Sequence, residues 1–153
     1  MNNQINLVES LNTSQILVGL DLGTKTLGVA VSDRYKIIAS PLSTIQRNGT
    51  KKDLLKLQEI LNDYEIGGFI VGLPLSLDNS ENQQTQLVRN FNKELIDFFS
   101  LPSVFWDERF SSDVIFKEMR KLNMSKNKIK NKLDQQSASY ILQGYLERYR
   151  KNK

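Results

Sequence analysis

The chain has 153 residues, 39% of them hydrophobic and 25% charged, which fits one domain with a sizeable core and leaves little room for a second. It has no cysteine and no histidine, which excludes disulfides, thiolate nucleophiles, Ser-His-Asp triads and zinc sites built from sulfur and imidazole. Carboxylate chemistry remains, and carboxylates suit hard cations such as magnesium or manganese. The net charge of +4 is unevenly spread: from Lys117 to Lys132 seven basic residues accompany one acidic residue, Glu118, so the rest of the chain is slightly acidic.

Residues 1–15 are rich in Asn, Gln and Ser and show no period, so they read as a flexible N-terminal extension to a single domain over residues 16–150. The start lacks the basic-then-apolar pattern of a secretory signal, and no apolar stretch approaches the roughly 18 residues that cross a membrane. The expected location is therefore cytoplasmic.

Ile16–Leu22 is an apolar run rich in branched residues and bounded by Gly23, the pattern of a central strand buried on both faces. Thr26–Ser32 reads as a second strand and residues 36–40 as a third, after a turn at Asp33-Arg34-Tyr35. Leu54, Leu57 and Leu61 at helical spacing predict a helix over residues 53–62, closed by Gly67-Gly68. Residues 69–73 then form a strand that Pro74 ends. A second helix from about Ser80 carries Leu87, Phe91, Leu95 and Phe98, capped by Asn79 or Ser80. Ser103–Asp107 forms a fifth strand, a third helix runs from Ser111 or Ser112 to about Leu122, and a last helix covers residues 132–150. Residues 123–131, with only Met124 and Ile129 as larger apolar side chains, read as a mobile basic loop. The order predicts an α/β fold: a mixed five-stranded sheet, three antiparallel strands first, flanked by helices.

Acidic residues stand at the ends of these elements. Asp21 lies inside an apolar run, where a carboxylate is costly to bury unless it is paired, hydrogen-bonded or bound to a cation. Asp107 and Glu108 close the fifth strand, and because strand side chains alternate, only one of them can share a face with Asp21. Asp134 opens the predicted last helix and, taken alone, reads first as a charge complementing the helix dipole. The Asp107-Glu108 pair reads equally as a solvated strand end or as part of a site.

Four segments in order, Asp21-Leu-Gly-Thr-Lys-Thr-Leu-Gly-Val-Ala-Val-Ser-Asp33, Val71-Gly-Leu-Pro-Leu75, Asp107-Glu-Arg-Phe-Ser-Ser112 and Asp134-Gln-Gln-Ser-Ala-Ser-Tyr-Ile-Leu142, resemble the motifs of the YqgF family. That family comprises pre-16S rRNA nucleases, also described as Holliday-junction-resolvase-like proteins. Two features depart from it: the turn after Pro74 carries Asp78-Asn79 where the family commonly has Asp-Gly, and the extension before Ile16 has no counterpart. Asn tolerates the left-handed backbone that a glycine would supply, so the turn is expected to persist.

The resemblance implies a ribonuclease H-like fold and a metal-dependent nuclease acting in 5′-end processing of pre-16S rRNA, with Asp21, Glu108 and Asp134 as catalytic carboxylates. On this reading Asp21 bridges two ions, Mg2+ or Mn2+, which can activate water and support the leaving oxygen without a histidine base. Glu108 and Asp134 each help hold one ion, and Asp107 is a substitute or outer ligand. Lys25, Arg109 and the basic residues Lys126, Lys128 and Lys130 are candidates for phosphate contact with structured RNA, by a monomer or a homodimer. The alternatives are cleavage of branched DNA at a Holliday junction, a non-catalytic role in ribosome assembly, and an ATP-dependent enzyme of the actin and sugar-kinase type. The last shares an Asp-x-Gly-Thr hairpin but needs a second domain, for which the chain is too short.

Overall fold

The computed structural model describes residues 6–76, 78–107 and 126–149, with the side chains of the last helix described from Gln136 onward. Its five strands are β1 (Ile16–Leu22), β2 (Thr26–Ser32), β3 (Ala39–Gln46), β4 (Ile66–Leu73) and β5 (Ser103–Asp107). They lie in the order β3-β2-β1-β4-β5, with β1 in the centre. β1 pairs antiparallel with β2 and parallel with β4, β2 pairs antiparallel with β3, and β4 pairs parallel with β5. This is the mixed sheet read from the order of apolar runs.

Alternation along β1 explains the layering. Val18, Leu20 and Leu22 face one side, where they join Leu54 and Leu57 of α2 (Thr50–Ile60) and Val88, Phe91 and Leu95 of α3 (Gln83–Phe99). Leu17 faces the other side, with Ile70, Val104 and Trp106, under Ala138, Ile141, Leu142, Tyr145 and Leu146 of α4 (Lys126–Tyr149). Central strands covered on both faces have to be apolar throughout, which is why β1 reads as a continuous hydrophobic run. Trp106 is buried, and Phe98 and Phe105 pack against the core.

Several boundaries differ from those read off the sequence. β3 begins later than residues 36–40, and Ile37 and Ile38 are exposed at the tip of the hairpin instead. β3 is an edge strand that buries only Ile45 fully, so its polar pattern gave little signal, and Pro41 sits where the pairing with β2 shifts register. Helix α2 starts at Thr50 behind Gly49, whose φ of 98° suits a residue without Cβ. Helix α3 starts at Gln83, with Asn82 as its cap and Thr85 completing a reciprocal capping box. Gly67 and Gly68 lie within β4 rather than closing α2. A Cβ on Gly67 would come within 2.6 Å of Leu11, and one on Gly68 within 2.8 Å of Leu7.

Those contacts also correct the reading of residues 6–15 as loose. Leu7 begins a short helix, α1 (Leu7–Ser10), and is buried. Its N–H donates to the Tyr145 hydroxyl at 2.9 Å, and burial pushes that phenol up to about 12. The Lys36 ammonium donates to the carbonyls of Asn12 and Arg34 at 2.8 and 2.6 Å, and its own burial lowers its pKa. A polar composition concealed two apolar anchors, Leu7 and Leu11.

The last helix is also longer than predicted. It begins at Lys126, so residues 126–131 are helical rather than loop, and Asp134 lies more than two turns inside α4 instead of at its start. Lysine is a good helix former and the segment holds neither Gly nor Pro, so a low apolar content did not prevent a helix. The predicted helix from Ser111 or Ser112 to Leu122 lies outside the described residues. Among the described residues, no helix is long and apolar enough to cross a membrane.

The seat of α4 on β1 depends on Gly19: a Cβ there would stand 2.7 Å from Leu142 Cβ and 2.8 Å from the Ala138 carbonyl. Gly19→Ala therefore forces the helix outward, and urea unfolding is expected to show a loss of about 1–3 kcal/mol. A loss below about 0.5 kcal/mol would contradict this packing.

Candidate active site

The C-terminal ends of β1, β3, β4 and β5 share one edge of the sheet. Leu20 pairs with Val71 and Val71 with Phe105, while Leu73 pairs with Asp107, so Asp21 reaches the edge beside Gly72 and Trp106. Crevices at such carboxyl edges are where open α/β sheets place their ligand chemistry.

Asp21 is half-buried on the α4 side of the sheet, the side of Leu17. Its surroundings are made of small residues. It pairs with Gly28 on β2, and a Cβ on Gly28 would lie 3.5 Å from Ala138 Cβ and 3.7 Å from Asp21 Cβ. The Ser137 hydroxyl of α4 donates a hydrogen bond to Asp21 Oδ2. Of the three resolutions open to a carboxylate in an apolar strand, this supplies the hydrogen bond for one oxygen.

The turn that follows Asp21 is fixed backbone by backbone. Gly23 N–H donates to the Thr26 carbonyl at 2.8 Å, and Arg47 N–H donates to the Lys25 carbonyl at 2.9 Å. Side chains reach the same turn: Gln84 Nε2 donates to the Leu22 carbonyl at 3.0 Å and Arg47 Nη1 to the Gly23 carbonyl at 3.1 Å. Arg47 Nε also meets Asp53 Oδ2 at 2.6 Å. The Lys25 side chain, a predicted phosphate contact, is exposed on this turn.

Across the edge, the loop after β4 keeps the turn expected from Asp78-Asn79, with Asn79 at φ 72° and its N–H donating to the Ser76 carbonyl at 2.9 Å. Hydrogen bonds from Ser80 lower the Asp78 pKa. Arg89 pairs with Glu81 and holds its carboxyl below the usual range, and the same guanidinium lies 5.1 Å above the Phe105 ring.

The remaining predicted site residues divide as follows. Asp107 is on the side of Phe105, opposite Trp106, and therefore on the face away from Asp21. Asp134 occupies a backbone position in α4 one turn before Ser137, because residues three apart on a helix are neighbours. Lys126, Lys128 and Lys130 lie in the first turns of α4. Glu108 and Arg109 lie outside the described residues. Among the described residues no three acidic side chains are grouped closely enough to hold a metal ion.

Three participants escaped the sequence reading: Ser137, Gln84 and Arg47. Ser137 had a usable signal, since it follows Asp134 by three positions in a helical segment. Gln84 and Arg47 had none for this role, because both meet the turn through its backbone carbonyls, which no side-chain pattern reports.

Removing the Ser137 hydroxyl leaves a half-buried carboxylate oxygen without its donor. Ser137→Ala is expected to lower the unfolding free energy by about 1 kcal/mol in urea titrations. An unchanged midpoint would show that water replaces the hydroxyl at no cost.

Comparison with known proteins gives a consistent picture. A family model described as RuvX: Holliday junction resolvase matches residues 15–148. A protein of Methylocella silvestris named "Putative pre-16S rRNA nuclease" is 42% identical over 137 residues, covering 90% of this chain and 85% of its own. One of the same name from Rhodobacter capsulatus is 42% identical over 132 residues, covering 86% and 83%. Among solved structures, T. thermophilus RuvC in complex with Holliday junction substrate superposes with a TM-score of 0.50 at 10% identity. That match covers 88% of this chain and 95% of RuvC, and it identifies the sheet and helices as the RuvC-like, ribonuclease H-like fold.

Proposed function

The chain belongs to the RuvX family, and from that premise we propose that it is a divalent-metal-dependent nuclease that hydrolyses phosphodiester bonds in the 5′ leader of pre-16S rRNA in the cytoplasm. The observation that carries the reading is the hydrogen bond from Ser137 to Asp21: it joins α4 to the end of β1 at a residue one helical turn from the backbone position of Asp134.

The proposed ligands are Asp21, Glu108 and Asp134. Asp107 faces away from Asp21, so Glu108 is proposed as the acidic residue of that pair in the metal site. An all-carboxylate set in a chain without histidine or cysteine suits Mg2+ or Mn2+. When bound, such ions supply Lewis acidity toward the phosphoryl oxygens and a more acidic water. The chain's own residues do the rest. Asp21 keeps one oxygen committed to Ser137, which fixes the rotation of its carboxylate and leaves the other oxygen for a ligand bond. Lys25 on the turn after β1, with Arg109 and with Lys126, Lys128 and Lys130 at the start of α4, would hold the nucleic-acid backbone by its phosphates. Contacts of that kind fix position without reading sequence.

The description of the family model as a Holliday junction resolvase supports a second reading, cleavage of branched DNA by the same carboxylates. Incubating the purified protein with an RNA bearing a precursor 16S 5′ leader, and with a four-way DNA junction, separates the two. With Mg2+ or Mn2+ present, RNA cleavage is expected, and Asp21→Asn is expected to lower its rate by at least about 1,000-fold, the scale set by losing a principal charge-stabilising group. Cleavage of the junction alone would favour the second reading. Cleavage that persists in Asp21→Asn would overturn the site.

A further inference from the structure

We propose that Arg47 is a positioning residue for Asp21, acting through the turn that ends β1; this rests on the nuclease reading given above. Asp21 is followed by Leu22-Gly23-Thr24-Lys25, and three carbonyls of that segment are held from outside it. Gln84 holds Leu22, the Arg47 side chain holds Gly23, and the Arg47 backbone holds Lys25. One residue thus holds two of the three carbonyls, on either side of Thr24.

The grip is rigid because Arg47 is itself held. Its Nε lies 2.6 Å from Asp53 Oδ2, and the other oxygen of Asp53 accepts the Asn48 N–H at 2.8 Å. Asp53 is only 1% exposed, and the Arg47 guanidinium also lies 5.9 Å above the Phe91 ring. A planar guanidinium suits this bridge: it offers several donors fixed in one plane and pointing in different directions, Nε to the carboxylate and Nη1 to the carbonyl. With its charge met by a buried carboxylate, Arg47 is poorly placed to serve as a phosphate contact, although it stands at the same edge as Lys25. Its consequence for chemistry lies in tolerance: a ligand-bearing carboxylate works only if it is held to within about 0.5 Å, and the end of a strand frays unless its next turn is pinned.

The test uses the full chain with Arg47→Lys, which keeps the charge opposite Asp53 but loses the fork. Gln84→Ala loosens the same turn from α3. The pair Arg47→Gln with Asp53→Asn, which removes both charges together, replaces Arg47→Lys if that variant does not fold. Three quantities are read: hydrogen exchange of the Gly23 amide relative to Leu20 in the centre of β1, Mn2+ affinity by calorimetry, and kcat and KM for cleavage. The expected result is Gly23 exchange at least about tenfold faster with Leu20 unchanged, and Mn2+ affinity about tenfold weaker, as for other outer-shell residues. The kcat is expected to fall about tenfold or more while KM stays within about twofold. Unchanged Gly23 exchange, equal acceleration at Gly23 and Leu20, or a raised KM at constant kcat would each overturn the positioning role. If the wild type cleaves neither substrate, the nuclease reading fails, and exchange with Mn2+ affinity still decides the role of Arg47.

Discussion

A carboxylate at the end of a strand covered on both faces is the constraint around which this molecule is organised. Asp21 follows five residues of β1 that are all buried, so its charge needs partners where little water reaches. The fold meets that need by keeping the neighbourhood small and polar at one point. Gly28 opposite, Ala138 above and Gly19 below let α4 come close enough for Ser137 to donate to Asp21. Larger side chains at those three positions would push the helix away and leave the charge stranded.

The same closeness ties stability to function. The residues that seat α4, Ala138, Ile141, Leu142 and Tyr145, form the core on that side of the sheet, and they carry the polar end of the helix with them. On the other side of the sheet, the Arg47–Asp53 pair holds the turn from β3 and α2. The Asp21 edge is therefore braced from both layers, with parallel pairing of β1, β4 and β5 setting its level along the sheet. The N-terminal segment adds to the same scaffold, because Leu7 closes over Tyr145.

What the sequence made legible was whatever hydrophobic burial writes into it. β1, β2 and β5 were found at their boundaries: β1 and β2 are mostly buried and read as apolar runs, while β5 alternates buried Val104 and Trp106 with half-buried neighbours between Pro102 and an acidic end. The edge strand β3 was misplaced because one buried Ile45 among polar residues leaves almost no pattern. Residues 126–131 read as loop because they carry a single larger apolar side chain, Ile129, while lysine's own helical preference and the continuation of α4 decide their state. That error had a consequence for the site: it put Asp134 at a helix terminus, where the dipole alone could account for it, whereas its place deep inside α4 removes that account. Asp21 was legible as a costly charge, but Ser137, Gln84 and Arg47 were not. Their roles arise from contacts between segments far apart in the chain.

The central claim is that carboxylates from three separate segments, Asp21, Glu108 and Asp134, hold divalent metal together. Calorimetric titration of the whole chain with Mn2+ tests it most directly, alongside Asp21→Asn, Glu108→Gln and Asp134→Asn. The account predicts binding by the wild type that each variant weakens by at least about tenfold, as expected when one ligand of a shared site is lost. Binding unchanged in all three variants would contradict it.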